Sequence, residues 1–324
     1  MNIREIAKIS GCSAATVSRV LAGKEGEILI SGKTKEKILK ICRQYGYEPS
    51  IHASRFFSKQ AMTVGIVTPS YPGLEDENLS KFMSAAYTAL HKYKYRLLPF
   101  ILDDDFIKSG EYLSIFNRKE IDALIIWGFK GDESWINELD EKKLPFILAS
   151  NRLKNYPSVS CDDGKGISAL VKRCAEKGAE KFIFVACPPC DVGERRKTAF
   201  MKNMKNREYH LIQASDFNVE AGLKTAEEIR KYKPDAIICA NDKIAVGVIS
   251  GLKNSGAELP GKVMITGADN IEMTEHCFIP LSTFDQMAYK CGTKCIEIIM
   301  KHLKDGTPLE SAVIAPEIYI RFSA

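Results

Sequence analysis

Residues 3–21, IREIAKISGCSAATVSRVL, carry the spacing of a helix-turn-helix. Ile3, Ile6, Ala7 and Ile9 make one apolar face of a short first helix, and the small Ala7 lets a second helix cross close to it. Gly11 supplies the turn. Ser13 is a good N-cap for the second helix, in which Val17, Val20 and Leu21 face inward while Ala14, Ala15, Ser18 and Arg19 project outward. In this motif the second helix lies in the DNA major groove with its N-terminal half nearest the base edges, so the outward face is the expected reading surface.

The charge distribution agrees. Through residue 60 there are 11 basic and 5 acidic residues; beyond it 35 basic residues are balanced by 36 acidic ones. Lys8, Arg19, Lys33, Lys35, Lys37, Lys40, Arg55 and Lys59 can displace counterions from phosphates, whereas the near-neutral remainder has no such footprint. For Lys33 to Lys40 alone, an ordinary solvated helix face is an equal reading.

Ser31 is placed to cap a third helix running to about Tyr45, with Ile38, Leu39, Ile41 and Cys42 on its buried face and Gly46 at its end. The SGKT at 31–34 is not a phosphate loop, since that motif needs glycine where Glu27 stands. Residues 50–58, with adjacent Phe56 and Phe57, read as a short helix-capable linker.

From residue 62 the pattern changes to apolar strand runs, among them TVGIV at 63–67, DALIIW at 122–127, KFIFVA at 181–186 and DAIICA at 235–240. Amphipathic segments such as Leu79 to Tyr93, Gly166 to Lys177 and Lys243 to Ser255 separate them, which predicts doubly wound parallel sheets. There are enough strands for two units, about 61–160 and 161–285, with ligands expected beyond the carboxyl ends of the strands and in the cleft between the units.

No stretch approaches the ~18 apolar residues of a membrane span and no apolar signal core opens the chain, so a cytoplasmic protein is expected. Its ten cysteines are then expected to stay thiols. Cys187 and Cys190 form a Cys-x-x-Cys, but no second pair stands at zinc spacing, and ordinary thiols are the simpler reading. Gly-x-Ser-x-Gly, His-Glu-x-x-His and Gly-x-Gly-x-x-Gly are all missing from the sequence. Neither an enzyme nor a metal or other cofactor is expected.

Over essentially its whole length the chain resembles the lac/gal repressor family of bacterial transcription regulators. The resemblance rests on IREIAKISGCSAATVSRVL, ISGKTKEKIL, YGYEP, TVGIV, CANDKIAVGVISGLKNSGAELPGKVMITGADN and PLSTFDQ. It implies an all-α helix-turn-helix head at 1–48, a hinge helix and linker at 49–60, and a two-subdomain α/β core of the periplasmic-binding-protein type at 61–324. Within that core the N-subdomain takes about 61–160 plus 288–322 and the C-subdomain about 161–285. It also implies a homodimer on operator DNA, with a small molecule, a sugar or sugar derivative, controlling it from the cleft. Two alternatives share this core: a catabolite-control regulator that answers to a phosphorylated partner protein, and a sugar-binding transport protein, which would lack the DNA head.

Carried onto matching positions, the resemblance makes Ser13, Thr16, Ser18, Ser31, Thr34 and Tyr47 phosphate or backbone contacts, and Arg19 the residue that reaches a base edge. Ala14 and Ala15 stand at operator-choosing positions, where their methyl groups can touch only apolar features such as a thymine methyl. In PSIHASRFF, Ala53 falls in the implied hinge helix and Phe56 stands where family members insert a leucine into the minor groove, a wedge whose unstacking cost is offset by contacts to bent DNA. Around the effector the resemblance places Arg196, Asn241 and Asp269, a donor fork, an amide and an acceptor suited to paired hydroxyls, with Phe217 as an apolar wall. Ala199, Ala288 and SYPGLEDEN depart from the family pattern at the cleft.

Overall fold

Asn2 opens the first helix: its Oδ1 accepts from Arg4 N (3.0 Å) and Glu5 N (3.1 Å), and Glu5 Oε2 accepts from Asn2 N (2.8 Å). Amide donors that every helix start leaves unpaired are thus satisfied reciprocally. The computed structural model of the chain describes residues 1–21, 30–47, 60–69, 76–128, 134–257, 259, 261 and 263–324. The expected hinge helix, with Ala53 and Phe56, lies outside the described residues. In the head, α1 (Ile3–Ser10) ends at Gly11, which takes the left-handed conformation at φ 66°, and α2 (Ala14–Leu21) and α3 (Gly32–Gln44) follow. Ile6, Ala7, Val17, Val20, Ile38 and Cys42 form their shared core. Ile9 is not part of it and is 44% exposed. The buried stripe runs 3, 6, 7, 10, so the fourth position belongs to Ser10, whose hydroxyl donates to Ala7 O (3.1 Å).

From residue 63 strands and helices alternate. The first lobe comprises β1 (Thr63–Pro69), α4 (Glu77–Lys92), β2 (Arg96–Leu102), α5 (Asp104–Lys108), α6 (Glu111–Asn117), β3 (Ala123–Trp127), α7 (Ser134–Glu141), β4 (Phe146–Ala149) and β5 (Ser158–Cys161). The second comprises α8 (Asp163–Glu176), β6 (Lys181–Ala186), α9 (Asp191–Asn203), β7 (Glu208–Gln213), α10 (Val219–Tyr232), β8 (Ala236–Cys239), α11 (Asp242–Asn254), β9 (Met264–Thr266), α12 (Met273–His276) and β10 (Thr283–Asp285). The chain then continues through α13 (Ala288–Asp305), β11 (Ala312–Ile314) and β12 (Glu317–Tyr319).

Among the described residues two large sheets form, ordered β11-β5-β4-β3-β1-β2 and β7-β6-β8-β9 with every pairing in them parallel, beside a two-stranded sheet of β10 and β12. Their inner strands, such as ALIIW, FILA and AIIC, are buried almost throughout because helices cover both faces. In each sheet the strand order reverses, between β1 and β3 and between β6 and β8, which leaves a crevice at the carboxyl ends.

Three crossovers join the lobes: β5 to α8, β10 to α13 and β11 to β12. Beyond Ile314 the chain returns to the second lobe, where β12 pairs antiparallel with β10 and Ser323 O accepts from Ile265 N (2.8 Å). The first lobe's share of the closing segment therefore ends near Ile314 rather than at 322.

Close crossing of α10 on α11 fixes the second lobe's crevice wall. A Cβ at Gly247 would stand 2.0 Å from Val219 O, and one at Gly222 would stand 2.1 Å from Ile244 O. Backbone occupies the space, so it cannot be cleared by a rotamer change. Gly247→Ala is expected to lower the free energy of unfolding by up to about 2 kcal/mol, an overpacking cost of about 1–3 kcal/mol less the ~1 kcal/mol that alanine gains in helix propensity. A denaturant midpoint equal to or above wild type would show that the two helices separate without cost.

Candidate ligand cleft and recognition helix

The starts of α2 and α3 are capped alike. Ser13 Oγ accepts from Thr16 N (3.1 Å) and bonds Thr16 Oγ1 (2.9 Å), and Ser31 Oγ accepts from Thr34 N (3.2 Å) and bonds Thr34 Oγ1 (2.9 Å). Each pair sets two hydroxyls on the positive end of a helix dipole, an arrangement suited to a phosphate oxygen. Arg19 and Ala15 are exposed on α2, Ser18 is half-buried, and Ala14 turns partly onto the head core. Tyr47 is half-buried, and burial, followed by Cys42, raises its phenol pKa, so it stays a neutral donor at pH 7.

In the cleft a buried guanidinium organises the second lobe. Arg196, on α9 and 3% exposed, donates from Nε to Asp163 Oδ1 (2.8 Å), from Nη1 to Ala240 O (2.6 Å) and from Nη2 to Asp269 Oδ1 (2.9 Å). Arg195 holds the other oxygen of Asp163 at 2.8 Å, pairs with Asp191 and donates to Ser150 O of the first lobe (2.9 Å). Burial works against the ionised form of Asp163, but Arg196 and Arg195 outweigh it and hold the carboxyl below its ordinary range. Asn241 caps α11 through Oδ1 to Ile244 N (2.8 Å) and donates from Nδ2 to Phe217 O (3.0 Å), which fixes the Phe217 loop beside the strand ends.

Two of these side chains touch crossovers directly. Asp163 is the first residue of α8, just past the β5 crossover, and Gln286, just past β10, donates to Asp269 Oδ1 (2.5 Å). Further bonds span the lobes, from Arg152 N to Asp191 Oδ2 (2.8 Å) and from Glu272 N to Glu77 Oε2 (3.0 Å).

Asp242 lies beneath the network, fully buried, accepting from Thr283 Oγ1 (2.6 Å) and Ile271 N (3.1 Å), with no cation among the described residues bonded to it. Burial first, and then the charge on Asp269, push it up to about 7. Burial likewise pushes Asp269 up to about 6, against the pull of Arg196. A carboxyl raised in the folded state binds more protons there than in the unfolded chain, so its contribution to stability is full below about pH 4 and is lost as pH rises through about 7. Asparagine at 242 can face its oxygen to Ile271 N and donate to Thr283 Oγ1, keeping both bonds without charge. Asp242→Asn is therefore expected to raise the melting midpoint at about pH 8, with the gain fading by about pH 5. An equal shift at both pH values would refute the buried-charge account.

The structure thus brings Arg196 and Asp269 into direct contact and sets Phe217 against Asn241. Sequence reasoning missed Asp163, Arg195, Asp242 and Gln286. Their signals were there, in the doubled arginine of GERRKTAF and in Gln286 of PLSTFDQ, but Asp162-Asp163-Gly164 reads as an ordinary helix start.

Comparison with known proteins supplies context. Residues 2–50 match the profile of bacterial regulatory proteins of the lacI family, and residues 171–324 match a periplasmic binding protein-like domain. The chain is 24% identical to Catabolite control protein A of Staphylococcus xylosus, covering 98% of this chain and 96% of that one. Its fold is similar to that of the lac repressor dimer bound to operator and the anti-inducer ONPF, at TM-score 0.84 and 18% identity over 100% of this chain and 98% of that one. A LacI family transcriptional regulator from Enterococcus faecalis V583, solved with bound ribose, superposes at TM-score 0.70 and 25% identity over 81% of this chain and 98% of that one.

Proposed function

Since this chain belongs to the lacI family of bacterial regulatory proteins, we propose that it is a sequence-specific transcription regulator, a repressor acting as a homodimer on operator DNA in the cytoplasm, and controlled by a sugar or sugar derivative held in the cleft. One observation carries the ligand half of this reading: the Arg196–Asp269 pair, chemically suited to neighbouring hydroxyls, is bonded to Asp163 and Gln286 at two lobe crossovers. A sugar that takes bonds from this pair redistributes those made to the crossovers, so binding and lobe geometry are linked. The influence of the ligand on DNA affinity equals its differential affinity for the two lobe arrangements, and it is reciprocal.

In the head, Ser13, Thr16, Ser18, Ser31, Thr34 and Tyr47 position the phosphates, Arg19 reads a base, Ala14 and Ala15 line the groove, and Ala53 and Phe56 act at the hinge. In the cleft, Asn241 and Phe217 complete the ligand wall beside Arg196 and Asp269. The relative named Catabolite control protein A favours a second reading, in which a phosphorylated partner protein supplies the signal.

Thermal unfolding across a panel of pentoses, hexoses and their phosphates, ribose included, tests the ligand half. A cognate sugar at ~100 times its Kd stabilises the fold by about 2.7 kcal/mol and shifts the fluorescence of Trp127 at the cleft wall. A flat panel combined with operator binding that requires an added phosphoprotein would select the second reading. Selection of DNA from a random pool tests the other half and is expected to return two-fold-related half-sites.

A further inference from the structure

Cys187 follows β6 and Cys190 caps α9, where its Sγ accepts from Gly193 N (3.3 Å). Their sulfurs are 3.9 Å apart. A Cβ at Gly193 would stand 2.5 Å from Cys187 Sγ and 3.2 Å from Cys190 Sγ, so glycine there is what admits both sulfurs. Cys187 is buried and Cys190 is half-buried. Elsewhere burial is the largest influence on Cys161, Cys174, Cys239, Cys291 and Cys295 and raises all five thiols.

We propose that Cys187 and Cys190 are a reversible dithiol–disulfide switch, oxidised by low-molecular-weight disulfides, on the helix that carries Arg195 and Arg196. The thiolate of Cys190 attacks one sulfur of the small disulfide, forming a mixed disulfide and expelling one small thiolate. Cys187 gives up its proton and attacks the Cys190 sulfur, expelling the second small thiolate. Counted from the dithiol, with one proton shed as Cys190 ionises and one from Cys187, the protein loses two electrons and two protons, and the two expelled thiolates take up two protons to become thiols.

Electrostatics assign the order of attack. The bond between the two sulfurs raises the Cys187 thiol and lowers that of Cys190, and, with Gly193 N–H and the charges of Arg196 and Arg195, brings Cys190 down to about 6 against burial. Relative to a free thiol the thiolate fraction at pH 7 rises roughly thirtyfold, while the intrinsic nucleophilicity falls about tenfold, so only a few-fold acceleration remains. The larger effect is on equilibrium: a stabilised thiolate makes the disulfide easy to reduce, as a switch requires and a structural bridge does not.

Oxidation draws the sulfurs from 3.9 Å to about 2.05 Å and removes the anionic cap from α9. Asp191, the next residue, takes the Arg152 N–H from the first lobe and pairs with Arg195. The bridge is thereby coupled to lobe contact, a consequence that rests on the cleft reading above, while the chemistry does not.

The test treats the full chain with a glutathione disulfide buffer, quenches it with iodoacetamide and maps peptides by mass spectrometry. Two alkylatable thiols are expected to disappear into a Cys187–Cys190 link that dithiothreitol reverses, and Cys187→Ser is expected to stop at the mixed disulfide. The alkylation rate of Cys190 should rise with a midpoint near pH 6. A wild-type chain that keeps both thiols, halts with glutathione on Cys190, or links between chains overturns the proposal. No ligand enters these measurements, so their outcome is separate from that of the sugar panel.

Discussion

Arg196→Ala lowers the free energy of unfolding by about 3–5 kcal/mol at pH 7.5, the cost of breaking a buried ion pair from one side. The guanidinium is 3% exposed and serves Asp163, which is 2% exposed, as well as Asp269 and the carbonyl of Ala240. Alanine leaves Asp163 with Arg195 alone and Asp269 with only Gln286 among the described residues. The deficit should shrink in acid. In wild type the depressed pKa of Asp163 contributes stability that is still present at about pH 4 and is lost only as pH falls from there through the lower folded value, so the deficit shrinks below about pH 4, where there is less left to remove. Asp163→Asn and Asp269→Asn added to Arg196→Leu should recover much of the loss, because the charges that lacked a partner are gone. A single-variant cost under about 1 kcal/mol would show that water reaches the site and that Arg196 is not a keystone.

Affinity for the selected operator is expected to fall about 10³–10⁵-fold between 50 and 200 mM salt, the range for a protein that neutralises six to ten phosphates. Arg19→Ala should lower specific binding by about 1–3 kcal/mol and relax preference at one position in each half-site, with little change in the salt slope. Lys33→Ala and Lys35→Ala, remote from base reading, should each reduce the slope by about one while sparing preference. Gel-shift titrations at several salt concentrations separate these cases. Equal loss of specific and nonspecific binding in Arg19→Ala would reassign that residue to the phosphates.

Inner strands and long helices were legible because burial on both faces writes an unbroken apolar run, as in ALIIW or KFIFVA. What escaped reading is polar or short. β7, EYHLIQ, is an outer strand whose polar residues face solvent, and β5, SVSC, lies inside the six-stranded sheet but is only four residues, three of them serine or cysteine. At the site, Arg196, Asn241 and Asp269 could be named from motif context. Asp163 and Asp242 could not, because a carboxylate gives no sign in sequence of whether it will meet water or a guanidinium. Pairings such as Arg196 with Asp163 join residues 33 apart in the chain, and only the folded crevice brings them together.

The three passages between lobes also set the order of events on the ribosome. Among the described residues the head's buried core ends at Cys42, with Tyr47 packed against it, and it can close once its third helix and the next few residues emerge. The six-stranded sheet has to wait for residues 312–314, which supply the strand beside β5, and for α13, whose Gly292 admits the backbone of Phe82 so closely that a Cβ there would stand 2.5 Å from its carbonyl oxygen. At about 5–20 residues per second, synthesis of the intervening chain takes roughly 15–50 s. During that interval the nascent polypeptide carries a finished DNA-binding head on a core whose β5 edge and α4 face are still uncovered. Nascent chains close to the gene and crowded on one message are then most exposed to strand-edge aggregation, and chaperone demand should peak before the last few dozen residues emerge.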